Sequence, residues 1–146
     1  MKIMNNLLHE QDFLRWTEEQ TQHLQKRELE LIDWQNIEEE IGALGRSEKQ
    51  ELENRLEVLL EHLLKRAYLN STYDNRGWEL TIKEQRKQIR RLLRFSPSLK
   101  SYAETILQEI WLDALSDIQD LYPNANLPEN NPFSQDLDCL LTEVFW

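Results

Sequence analysis

DWQNIEEEIGALGRSEKQELENRLEVLLEHLLKRAYL, residues 33–69, is the stretch on which the fold turns. Trp34, Ile37, Ile41, Leu44, Leu52, Leu56, Leu59, Leu63 and Ala67 recur at helical spacing. At about 100° per residue they fall on one stripe less than half the circumference wide. The phase holds across GALGRS, residues 42–47. Gly42, Gly45 and the capping box that starts at Ser47 and ends at Gln50 argue for a stop and a restart there. The reading favours two helices, 34–44 and 47–68, nearly in line or sharply kinked. Asp33 is placed to cap the first of them.

Composition points the same way. The chain has 146 residues, 30% of them charged, with three Gly and four Pro. That is too little turn chemistry for a β-rich fold, and Leu, Glu, Gln, Lys and Arg favour helix. The net charge of −10 opposes general binding to nucleic acid or anionic lipid, both polyanions. The start, MKIMNNLLHE, is not a signal peptide, and no apolar run approaches a membrane span. Cys139 is the single cysteine, so no internal disulfide forms. A cytoplasmic location is expected.

Outward from 33–69, Asp12 caps an earlier helix that stops near Lys26 or Arg27. After the polar turn NSTYDNRG (70–77), a helix runs from about Trp78 to Arg94. Ser96 as cap and Pro97 at the first helical position start the next, which ends before Pro123. Residues 122–133 form a Pro/Asn-rich connector ordered by Leu127 and Phe133. Ser134 caps a short last helix over 134–146. The expected fold is all-α: one domain, a bundle of five to six helices over 12–121, with the connector and last helix appended.

The segment LIDWQNIEEEIGALGRSEKQELENRLEVLLEHLLK, then Trp78 with TIKEQRKQIRRLL, then SPSL, resembles the bacterial domain-of-unknown-function family numbered twenty-nine. The likeness covers about Asp12 to Leu141, with its motifs in order. It departs at Arg66, after Lys65, where the family more often carries an aromatic. The resemblance implies an all-helical fold and no assigned activity.

Candidate chemistry is sparse. His62 lies at the edge of the long stripe, in a polar seam with Glu48, Arg55 and Arg66. The plain reading is a histidine that makes one hydrogen bond to a neighbouring element. A metal-dependent hydrolase would need partners, and bundle metal sites use Glu-x-x-His. Three residues before His62, His23 and His9 stand Leu59, Gln20 and Asn6. Glu39 and Glu40 could join His62 only if residues 42–47 reverse the chain. No HExxH, phosphate loop, GxGxxG or Gly-x-Ser-x-Gly is present, so no cofactor is expected. Cys139, on the apolar side of its helix, reads as inert packing.

KEQRKQIRRLLR, residues 83–94, is the sharpest feature. Lys83, Arg86, Lys87, Arg90, Arg91 and Arg94 against Glu84 give +6 − 1 = +5, leaving −15 for the rest. The six fall on one face about 140° wide, opposite Ile82, Ile89 and Leu92. Three uses compete: pairing with acidic helices of the same molecule, docking an acidic protein or second copy, or contacting phosphates of nucleic acid. The surrounding charge, and the lack of a recognition motif, disfavour the last. The tryptophans read as core anchors, except Trp146, which either folds back or marks a covered apolar patch. The sequence therefore points to a protein–protein interaction or assembly module. Its expected contacts are the 83–94 face and the 133–146 segment.

Overall fold

A computed structural model describes residues 2–146, with side chains from Leu7 onward. Among the described residues there are six α-helices and no strand. They are α1 (Lys2–Gln11), α2 (Phe13–Gln25), α3 (Trp34–Tyr68), α4 (Asn75–Phe95), α5 (Leu99–Leu121) and α6 (Leu137–Thr142), with a 3-10 turn at Leu29–Leu31. No helix is long and apolar enough to cross a membrane. The chain divides into two units, Met1–Ser47 and Glu48–Trp146.

In the first unit, Asp12 caps α2 by accepting from the Arg15 N–H at 3.1 Å. α2 ends in a Schellman turn: Glu28 N–H donates to His23 O at 2.9 Å and Arg27 N–H to Leu24 O at 3.2 Å. Arg27 takes the left-handed backbone, φ 58°, where glycine is the usual occupant. Trp16 and Ile32 are buried together with two polar residues, Gln20 and Asp33. Those polar groups are satisfied. Trp16 Nε1 donates to Asp33 Oδ2 at 3.1 Å, and Asp33 N–H donates to Gln20 Oε1 at 2.7 Å. Asn36 Nδ2 donates to Asp33 Oδ2 at 2.7 Å. Asp33 thus closes the start of α3, as its position suggests, and also anchors α2.

α3 is one unbroken helix of 35 residues, so the stop expected at 42–47 does not occur. Neither Gly42 nor Gly45 takes a positive φ, so neither ends the helix. The capping box does not form either: Gln50 bonds Asn54 at 3.1 Å, and Arg46 reaches back to Glu39 at 2.8 Å. The uninterrupted apolar phase wins over the local breakers, which cost only about 1 kcal/mol each inside a helix.

In the second unit, Leu52, Leu56, Leu59, Leu63, Ile82, Ile89, Trp111, Ile118, Leu137 and Leu140 are buried in one core. α4 begins at Asn75, before the expected Trp78, because Ser71 and Asp74 close the turn early (Oγ to Oδ2, 2.9 Å). Gly77 sits inside the first helical turn. α5 begins at Leu99, later than expected. Ser96 does not cap it; its hydroxyl donates to Glu48 Oε2 at 2.8 Å. Tight turns instead close on the Ser96 and Pro97 carbonyls, at 3.0 and 3.1 Å. α6 is shorter than the sequence suggested. Asp136 caps it through the Asp138 N–H at 3.1 Å, while Ser134 accepts from the Asp136 N–H at 3.0 Å. The connector is held by Phe133, buried edge-on against Trp111 and Phe145.

Candidate functional site

α4 carries the basic face because Ile82 and Ile89 on its other side are buried. The six cations do different work. Arg86 is itself buried, and its guanidinium donates to the carbonyls of Leu140 (Nε, 3.1 Å) and Glu143 (Nη2, 2.6 Å). Burial, then the neighbouring Arg90 charge, lower the Arg86 pKa, while Glu143 works the other way. Arg90 donates to Leu141 O at 2.9 Å. These two arginines satisfy carbonyls left open at the end of α6. The internal pairing is with backbone oxygen, not with the acidic helices. Lys83, Lys87, Arg91 and Arg94 are exposed and form no ion pair among the described residues.

Two depressions open along this face. A groove of about 700 Å³ lies between α4 and α6, with Leu93 and Leu141 in its lining and Lys87, Arg90 and Arg94 around it. A second, of about 530 Å³, includes Arg76, Leu80, Lys83, Arg86 and Trp146 and shares Arg90, Leu141 and Thr142 with the first. The two adjoin through these shared residues, and cations outnumber the two carboxylates in their linings, Asp138, which pairs with Lys100, and Glu79, which pairs with Arg66. Trp146 folds back here, with the Arg66 guanidinium 5.5 Å from its ring centroid.

The polar seam is taken up residue by residue. Glu48 accepts from Ser96, Arg55 reaches Glu51 (3.0 Å) and Gln85 (3.3 Å), and Arg66 donates to Glu79 at 3.1 Å. His62 Nδ1 donates to Val58 O at 2.7 Å, within its own helix. Burial, above all, lowers the His62 pKa, so the ring is neutral at pH 7. Glu39 pairs with Arg46, and Glu40 accepts from His9 at 2.7 Å. Glu39 and Glu40 belong to the first unit and His62 to the second, and each is taken up by the partner just named within its own unit. Cys139 is not reactive: hydrogen bonding to the Glu143 and Asp136 carboxylates pushes its pKa up to about 11, which keeps the thiol protonated.

Two features escaped the sequence reading. Glu57 and Glu61 of α3 meet Asp117 of α5, with carboxylate oxygens within 4.8 Å of one another. Burial, then hydrogen bonding and charge repulsion from Asp117, push Glu61 up to about 7 and raise Glu57. Glu61 therefore keeps its proton up to near neutral pH, and carboxylate oxygens are the ligand type a hard divalent cation prefers. The i,i+4 spacing of 57 and 61, and of 113 and 117, was the available signal. The second feature is on the long stripe. Leu52, Leu56, Leu59 and Leu63 are 0% exposed, yet Trp34, Ile41 and Leu44 are 48%, 64% and 70% exposed. Trp34 is therefore not a core anchor, against the sequence expectation, whereas Trp16 and Trp111 are buried.

No curated protein and no solved structure matches the chain. A family model does, over residues 8–146, nearly the whole length and all of the geometry above apart from the start of α1. The chain thus belongs to the family described as "Domain of unknown function DUF29".

Proposed function

We propose that the protein is a helical interaction module whose first unit presents an apolar helix face to another protein chain. The observation that carries this reading is the exposure of Trp34, Ile41 and Leu44 on α3. Full burial of a large apolar side chain contributes about 1.5–3 kcal/mol, and Trp34 forgoes about half of its share while Ile41 and Leu44 forgo about two thirds. Apolar positions one to two turns apart on one helix face fit the helix-in-groove mode of recognition. Leu14 and Leu29, also exposed in the first unit, add apolar area. A photo-cross-linking residue in place of Leu44 is expected to capture another protein chain in the living host. The same residue in place of Gln119, exposed on α5, is the control. No adduct at position 44 overturns the reading.

A further inference from the structure

The segment 28–45 contains Glu28, Glu30, Asp33, Glu38, Glu39 and Glu40 and no Lys or Arg, a charge of −6. Asp33 is buried, but Glu30, Glu38 and Glu39 are exposed beside the uncovered apolar face. Residues 83–94 carry +5, and of their cations Lys87, Arg90 and Arg94 border the groove between α4 and α6, against the single acid Asp138, which pairs with Lys100. Each surface has what the other lacks: exposed apolar side chains and an excess of acid on one, where Glu39 pairs with Arg46 and Glu40 with His9 while Glu30 and Glu38 form no ion pair among the described residues, and an excess of cations beside apolar Leu93 and Leu141 on the other. Resting on the interaction reading above, we propose that the chain it meets is a second copy of itself. The acidic apolar face of α3 in one copy seats in the basic α4/α6 groove of the other.

Charge decides between this pairing and the simpler one of two α3 faces against each other. A symmetric α3–α3 contact brings an acidic segment with no Lys or Arg against another of the same sign, and like charges in an interface oppose it. In the groove the same acids meet Lys87 and Arg94. Arg86 and Arg90 already donate to α6 carbonyls, so they shape the groove and the exposed cations select the partner. A head-to-tail contact of this kind closes into a ring or reciprocal pair, or grows.

The test uses the full chain and two charge-reversed variants. One is E38K with E39K, the other K87E with R94E; all four positions are exposed, and Glu39 alone has a partner, Arg46. Wild-type protein is expected to sediment as more than one chain at about 100 µM in about 50 mM salt, and to dissociate as salt rises. Each variant alone then loses most of the complementarity, −6 falling to −2 on one surface or +5 to +1 on the other, and its Kd rises about tenfold or more. Mixing the two restores association, because each supplies the complement the other has lost. A wild-type monomer under these conditions overturns the proposal, as do variants that still self-associate or a mixture that stays monomeric. The adduct captured at position 44 has the mass of two chains if the proposal holds. An adduct of any other mass keeps the interaction reading and overturns this one.

Discussion

Glu57 and Glu61 stand one helical turn apart on α3, and Asp117 closes the group from α5. Asp113 adds negative charge near Glu57, and Lys65 acts the other way on Glu61. Their raised pKa values have a definite sign for stability. A carboxyl with a higher pKa in the folded chain binds its proton more tightly when folded. The stabilisation is complete below the unfolded value and is lost as pH rises through about 7 for Glu61. Glu61→Gln fixes the group in a neutral form that can still hydrogen-bond Asp117. Its Tm should exceed that of wild type by roughly 2–4 °C near pH 8 and match it near pH 5. Thermal melts of both proteins at the two pH values check this; a gain equal at both, or none at pH 8, would count against the raised Glu61 pKa. The sequence shows both i,i+4 acid pairs. It cannot show that they face each other, because Glu61 and Asp117 lie 56 positions apart and their meeting is a product of packing.

At the scale of the helix, α3 settles a conflict the sequence left open. Gly42 and Gly45 signal a break, and the apolar phase signals continuity. The phase carries more weight because buried leucines downstream fix the helix, whereas a glycine only lowers its intrinsic preference. A Cβ at Gly45 meets nothing within 4 Å, and one at Gly42 meets only the mobile end of Arg46, at 3.1 Å. Gly45→Ala should therefore raise stability by about 0.5–1 kcal/mol in urea unfolding, because the backbone is already helical. A loss would reveal a left-handed glycine and a broken helix. The same stripe marks the limit of periodicity as evidence. It assigns Leu44 and Leu59 to one face, but only a packed neighbour decides which is covered. α4 teaches a similar lesson. Its cationic face was legible, yet the carbonyls that Arg86 and Arg90 hold are more than 50 residues away. Arg86→Ala should leave the Leu140 and Glu143 carbonyls without these donors and cost about 1.5–3 kcal/mol. Lys87→Ala, exposed, should cost under about 0.5 kcal/mol. Paired urea titrations separate the two; equal costs would show that the carbonyl bonds contribute nothing.

Across the whole molecule, the buried apolar residues are unevenly shared. Twenty form the core of the second unit, while Trp16 and Ile32 alone are buried in the first, among the described residues. An all-helical chain was legible from composition and period. This imbalance was not, since Phe13, Leu24, Trp34 and Ile41 sit on stripes as regular as any buried one. The first unit relies instead on the hydrogen bonds of Trp16, Gln20 and Asp33, and a net hydrogen bond contributes only about 1 kcal/mol. Such a region opens without global unfolding. In native-state hydrogen exchange, amides of α2 should therefore exchange through an opening that costs less free energy than the opening that exposes residues 52–64 of α3. Equal protection would mean that the small core is as firm as the large one. If the first unit seats on a second copy, its protection should also rise with protein concentration, while that of 52–64 stays level. A concentration series of the same exchange experiment reads both effects at once: a low-stability face in the dilute chain, and its firming when covered.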